Sequence, residues 1–139
     1  MKNERKIVIA SHGLMAKGME DTCRMIIGDL PYEIESYSLV PGRHPDEFRS
    51  RVEDEIRSNP EKEYVILTDL YGASVCTSMY QLLVYENVVL FSGMNLNLLL
   101  ILMLEYPERL KKEDIEAIVR GSADGLKQVR LSAEEEEDF

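Results

Sequence analysis

The chain has 139 residues, 45% apolar and 30% charged, which suits one domain around a single core and sets disorder aside except at the ends. Sixteen basic against twenty-six acidic side chains give a net charge of -10 with no dense Lys or Arg stripe, arguing against a nucleic-acid partner. The longest strongly apolar run, Leu98 to Leu104, is about a third of the roughly 20 residues a membrane span needs, so direct membrane insertion is not expected.

Met1 to Lys6 leads straight into a strand, Ile7-Val8-Ile9-Ala10, with neither an apolar h-region nor a small-residue cleavage signal. Cys23 and Cys76 have no CxxC spacing, and both features point to a reducing, cytoplasmic setting. Ser11-His12-Gly13 ends the strand. The period then changes, with Met15, Met19, Cys23, Ile26 and Ile27 mostly three or four apart, which predicts an amphipathic helix closed by Gly28-Asp29. Glu33 to Val40 reads as a second strand. Pro45, Phe48, Val52 and Ile56 mark a second helix, stopped at Asn59-Pro60.

Tyr64 to Leu67 is apolar throughout, as a strand buried on both faces should be. The turn Asp69 to Ser74 leads into a helix carrying Cys76, Met79, Tyr80, Leu82 and Leu83, and Val88 to Phe91 forms a fourth strand. Ser92 to Asn95 precedes an apolar helix from Leu96 to Glu105, and Pro107 ends it. Glu113 to Val129 predicts a last helix with Ile115, Ile118, Val119, Leu126 and Val129 inward, although Gly121 and Gly125 interrupt it. Strands alternating with helices define an α/β three-layer sandwich around a central, mainly parallel sheet of four parallel strands. The expected division is a domain over residues 1–131 and an acidic tail over 132–139, where Glu134 to Asp138 are five consecutive acids.

Ligands of open parallel sheets collect beyond the carboxyl ends of the strands. Three polar turns fall there: His12 after the first strand, Thr68-Asp69 after the third, and Ser92-Gly93-Asn95 after the fourth. If those strands are neighbours, the turns share one mouth. A nucleophilic imidazole needs one nitrogen held and the other free, and a carboxylate accepting the held proton fixes the tautomer; Asp69 is the candidate orienter of His12. The Gly72-Ala73-Ser74 segment offers backbone N–H groups and a hydroxyl to an anion, and Thr68 or Ser11 could lend another hydroxyl. The plain alternatives are a histidine that fastens its turn and Gly and Ser acting as helix caps.

His44, in Gly42-Arg43-His44-Pro45, reads as a solvent-facing loop residue. A metal held by His12, His44 and Asp69 has no supporting ligand spacing, and no metal or cofactor is expected. Gly72-Ala73-Ser74-Val75-Cys76 lacks the second glycine of a nucleophile elbow, and neither nucleotide-binding glycine motif is present. Met15 and Met19 read as core, with a pliable docking surface as the alternative. The Leu98 to Leu104 run is too apolar for a helix with an ordinary solvent face, so another subunit is expected to cover part of it.

Three stretches, Ile7 to Gly13, Leu67 to Ser74 and Phe91 to Leu96, follow successive strands in order. Together they make the chain, from Lys6 to about Leu126, resemble the mannose-type EIIA domain of the bacterial phosphoenolpyruvate-dependent sugar phosphotransferase system. The resemblance implies that His12 accepts a phosphoryl group from the phosphocarrier HPr and passes it to a sugar-specific EIIB domain, coupled indirectly to the membrane components EIIC and EIID. It implies that Asp69 hydrogen-bonds the imidazole and that Ser74 helps bind the phosphoryl group, beside Gly72, Ala73 and Thr68. It further implies a homodimer in which a fifth, antiparallel strand near the C-terminal side is exchanged.

The chain departs from the family at two places. Gly72-Ala73-Ser74-Val75 stands where many members have Gly-Gly-Ser-Pro, and Asn95-Leu96-Asn97 where they commonly have Asn-Leu-Pro. Two rival functions share the site residues: a carrier in a dihydroxyacetone kinase relay, and a non-enzymatic dimeric regulator that keeps the fold.

Overall fold

Ile7 and Ile9 point to one face of a sheet while Val8 and Ala10 point to the other, and all four are fully buried. The third strand repeats the pattern, with Val65 and Leu67 against Tyr64 and Ile66. Two buried faces explain why both strands read as unbroken apolar runs.

In the computed structural model, which describes residues 4–131, the elements in chain order are β1 (Arg5–His12), α1 (Met15–Ile27), β2 (Glu33–Leu39), α2 (Asp46–Ser58), β3 (Glu63–Thr68) and α3 (Ser74–Tyr80). A 3-10 turn over Gln81–Val84 continues α3, and β4 (Val88–Phe91), α4 (Leu96–Leu104) and α5 (Lys112–Ala123) complete the fold. The strands lie in the order β2-β1-β3-β4 and every pairing is parallel. Residues of α1, α4 and α5 cover the Ile7 and Ile9 face, and those of α2 and α3 cover the Val8 and Ala10 face. This is the expected three-layer α/β sandwich with four parallel strands.

Strand order determines where a site can form. After β1 the chain passes through α1 to β2 on one side, whereas β3 lies on the other side of β1. The connections leaving β1 and β3 therefore diverge, α1 to one face and α3 to the opposite face, and open a crevice between them. The β4 connection lies beside the β3 connection, so the three polar turns do meet at one edge.

At the opposite edge a buried ion pair ties the sheet to the following chain. Arg5 Nε donates to Glu63 Oε1 at 2.7 Å, with both side chains at most 1% exposed. The guanidinium also donates to the carbonyls of Leu102, Tyr106 and Glu108, while Glu63 Oε2 accepts from Leu110 N–H. Use of four of the five guanidinium donors and of both carboxylate oxygens is what makes such burial tolerable.

One expectation is corrected. The last helix ends at Ala123 rather than Val129, and Leu126, Val129 and Val119 are 91%, 71% and 53% exposed instead of inward. The apolar spacing there was coincidental: Asp124 and Gly125 turn the chain, and Gly125 runs so close to Asn97 that a β-carbon would lie 2.0 Å from Asn97 Nδ2. Most of the apolar α4 packs within its own chain. Leu98, Leu99, Leu102 and Met103 are buried, Leu100 and Ile101 pack on the same core, and only Leu104 of the run is exposed. Four strands are present among the described residues, and 126–131 forms no ladder with them. The acidic run expected over 132–139 lies outside the described residues.

Candidate active site

His12 is the last residue of β1, opposite Leu39 of β2, and Gly13 N–H donates to the Leu39 carbonyl as the chain leaves the sheet. Ser11 is fully buried; its hydroxyl accepts from Ala16 N–H at 2.8 Å and donates to the Gly13 carbonyl at 3.3 Å. It thus fastens the start of α1, whose N-cap side chain makes no capping bond, and it does not face the crevice with its hydroxyl free.

One residue beyond β3, Asp69 reaches across to His12. Its Oδ2 accepts from His12 backbone N–H at 2.7 Å and lies 2.8 Å from His12 Nδ1, while Oδ1 accepts from Leu70 N–H at 2.8 Å. Burial pushes the Asp69 carboxyl up, but the hydrogen bonds from His12 backbone and ring and from Leu70 N–H outweigh it and hold the group below the usual aspartate range. An ionised carboxylate can only accept, so the proton between them belongs to Nδ1, and in the neutral ring Nε2 carries the lone pair. The His12 side chain is 50% exposed and that of Asp69 only 14%, which leaves the ring open to an incoming group while its orienter is sheltered.

Ser74, the first residue of α3, sets its hydroxyl 3.4 Å from Nε2. The turn that brings it there needs Gly72 at φ +79°, a left-handed conformation that side chains other than glycine's adopt at a cost. Ser74 Oγ thus meets the free nitrogen, and Asp69 the held one.

Two other residues expected to bind the phosphoryl group, Thr68 and Ala73, direct their donors elsewhere. Thr68 is fully buried, and its hydroxyl donates to the Phe91 carbonyl at 3.2 Å, bridging β3 and β4. Ala73 N–H donates to the Leu70 carbonyl at 3.2 Å, which spends that donor within the turn, while Thr77 Oγ1 donates to the Gly72 carbonyl and ties the turn to α3. His44 is 69% exposed and sits against Asp46 at the start of α2, in the β2 connection. Among the described residues no three His, Cys, Asp or Glu side chains gather in a metal-binding group.

Residues of the β4 connection, seen in sequence only as polar, buttress the site. Gly93 N–H donates to the Asp69 carbonyl at 2.6 Å and Met94 N–H to the Thr68 carbonyl at 3.1 Å. Asn95 caps α4, its Oδ1 accepting from Leu98 N–H at 2.8 Å, and its Nδ2 donates to the Ser122 carbonyl in the last turn of α5 at 2.8 Å. An asparagine immediately before an apolar helical run was the available signal for the cap; nothing in the pattern signalled the bond to α5.

Large apolar side chains stand exposed in the two connections that carry His12 and Asp69: Leu14 at 73%, Met15 at 46%, Leu70 at 67% and Tyr71 at 83%. The methionine stripe is thereby split, Met19 entering the core and Met15 the surface.

The chain matches the EIIA-man family, described as PTS system fructose IIA component, over residues 6–119. No match is found among curated proteins. Among solved structures it is similar to the PTS IIA protein associated with the fucose utilization operon from Streptococcus pneumoniae, at 26% identity and TM-score 0.75, covering 91% of this chain and 94% of that one. It shares its fold with phosphotransferase system component EIIA from Streptococcus agalactiae, at 23% identity and TM-score 0.76, covering 89% and 96% of the two chains. It shares it too with the mannose/sorbose specific IIA subunit from Enterococcus faecalis, at 19% identity and TM-score 0.78, covering 95% and 98%. The chain belongs to the EIIA-man family of PTS IIA components, phosphocarriers of the sugar phosphotransferase system.

Proposed function

We propose that His12 is the phosphoryl-carrying residue, accepting phosphate on Nε2 from phospho-HPr and passing it to a histidine of a sugar-specific EIIB domain. The observation that carries this reading is the half-exposed ring at the sheet's switch point, with Nδ1 held by Asp69 and Nε2 facing the Ser74 hydroxyl. The Nε2 lone pair forms the new N–P bond as the bond from phosphorus to the donor's ring nitrogen breaks. Nδ1 keeps its proton, donated to Asp69, whose negative charge offsets the positive character the ring gains. Ser74, displaced from Nε2 by phosphorus, turns its hydroxyl to a phosphoryl oxygen. Transfer to the acceptor is the same exchange in reverse, so the work is positioning and charge stabilisation.

The exposed Leu14, Met15, Leu70 and Tyr71 around the ring suit successive protein partners rather than a small polar substrate. Sugar choice lies with the other components, and coupling to EIIC and EIID is indirect. The setting is cytoplasmic, in keeping with the absence, among the described residues, of any helix long and apolar enough to cross a membrane. We place residues 126–131, with Leu126 and Leu131 both 91% exposed, as the exchanged strand of a homodimer, lying against the free edge of a partner's β4.

The test is incubation with phosphoenolpyruvate, enzyme I and HPr, followed by mapping of acid-labile phosphate. One phosphate on His12 Nε2, absent in His12→Ala and discharged to an EIIB domain, is expected. No incorporation from a competent donor, or incorporation that survives His12→Ala, overturns the reading. Discharge to a dihydroxyacetone kinase subunit instead of any EIIB would redirect the acceptor. Light scattering of the full chain, against a chain ending at Gly125, reads the dimer.

A further inference from the structure

Asn95 uses both ends of its amide. Oδ1 caps α4 through Leu98 N–H, and Nδ2 reaches α5 through the Ser122 carbonyl, each at 2.8 Å. Two residues earlier, Gly93 turns at φ +64° and directs its N–H at the Asp69 carbonyl, 2.6 Å away. The Asp69 side chain in turn fixes the ring and backbone of His12. Hydrogen bonds joined by the backbone from Gly93 to Asn95 and by Asp69 itself therefore connect the end of α5, through the β4 connection, to the imidazole. Close packing of Gly125 on Asn97 holds the same end of α5 against α4, so this path has a second anchor just beyond Ser122.

Capping alone asks only for an acceptor at position 95, which Ser, Thr or Asp would also supply. The latch to Ser122 asks for a donor on the same side chain with the reach of an amide. Both are made here by one residue, next to the loop that sets the orienting carboxylate.

We propose that Asn95 is a positioning residue for phosphoryl transfer: its amide latches the β4 connection to α5 and thereby holds Asp69 where it fixes the His12 tautomer. The inference rests on His12 being the phosphate carrier, as argued above. Losing the latch lets the Gly93 to Asp69 bond lengthen and the carboxylate drift, and a displacement on the order of 1 Å at a reacting group costs as much as a hundredfold in rate.

The test compares wild type with Asn95→Ser, which keeps an acceptor for Leu98 N–H but is too short to reach Ser122. Nitrogen-15 NMR of the His12 ring reports the tautomer without any phosphate, and the rate of phosphorylation by phosphoramidate reports transfer. In that reaction Nε2 bonds to phosphorus and ammonia leaves, taking a proton from solvent. The expected result is a wild-type Nε2 with an unprotonated signature, which in Asn95→Ser moves toward the average of two tautomers, together with a fall of about tenfold in rate. Asn95→Thr reads the same change if the serine variant does not fold. A ring signature and rate that both match wild type overturn the proposal, since a capping role predicts that outcome. A rate that falls with the signature unmoved overturns it equally. A wild type that takes up no phosphate from phosphoramidate or from phospho-HPr refutes the carrier reading of His12, while the ring signatures still decide whether the latch orients it.

Discussion

Asp69 Oδ2 accepts two hydrogen bonds from the same residue, one from His12 backbone N–H at 2.7 Å and one from Nδ1 at 2.8 Å. The first fixes the carboxylate relative to the end of β1, so the second holds the ring in a set plane and tautomer. In Asp69→Asn an amide replaces the carboxylate; its N–H can donate to an unprotonated Nδ1 and drive the proton to Nε2, the nitrogen that must attack. Transfer should fall by about a hundredfold to ten-thousandfold with the fold retained, as when the carboxylate of a Ser-His-Asp triad becomes an amide. Phosphorylation rates and near-ultraviolet circular dichroism check this, and a rate within about threefold of wild type would remove Asp69 from its role.

Ser74 and Gly72 separate contact from conformation. Ser74→Ala deletes the hydroxyl 3.4 Å from Nε2 and should slow phosphorylation by about 10- to 100-fold, on the scale of a lost stabilising donor, with little change in unfolding temperature. Gly72→Ala adds a methyl group that meets nothing within 4 Å, so its cost is the left-handed φ of +79° alone, about 1–2 kcal/mol. It should lower stability and slow transfer together. Urea unfolding beside a phosphorylation time course distinguishes the two variants.

The sheet and its mouth were legible because burial on both faces writes continuous apolar runs, and β1 and β3 end in polar residues just where the core ends. His12, Asp69 and Ser74 stood out for that reason. Thr68 misled because a hydroxyl at a strand end looks alike whether it faces the crevice or, as here, the neighbouring Phe91 carbonyl. Leu126 and Val129 kept a helical period without a helix, since spacing is blind to the turn at Asp124 and Gly125. Arg5, Glu63 and Asn95 were invisible as partners because their bonds join residues 58, 47 and 27 positions apart.

The pH dependence of stability follows from the lowered Asp69 carboxyl. Its folded value lies below the ordinary 3.8, so its contribution is complete above that value and is lost as pH falls from there through the folded value. The stability difference between wild type and Asp69→Asn should shrink as pH falls below about 5. Urea unfolding of both proteins at stepped pH measures it, and a difference unchanged at pH 3 would show that the carboxylate gains nothing from His12 and Leu70.

The Arg5 and Glu63 pair tests whether the far edge of the sheet serves stability alone. In Arg5→Met the aliphatic length survives, but the buried Glu63 loses its ion pair with Arg5, and the carbonyls of Leu102, Tyr106 and Glu108 lose a common donor. Breaking such a pair from one side costs about 3–5 kcal/mol, a large share of a domain's total, so a sharply lower unfolding midpoint is expected. The double variant Arg5→Met with Glu63→Gln also removes the buried carboxylate charge and should recover part of the loss. Because the pair sits at the edge away from His12, the folded fraction of either variant should take up phosphate at close to the wild-type rate. A transfer rate that falls further than the folded fraction would instead tie this ion pair to the chemistry at the opposite end of β1 and β3.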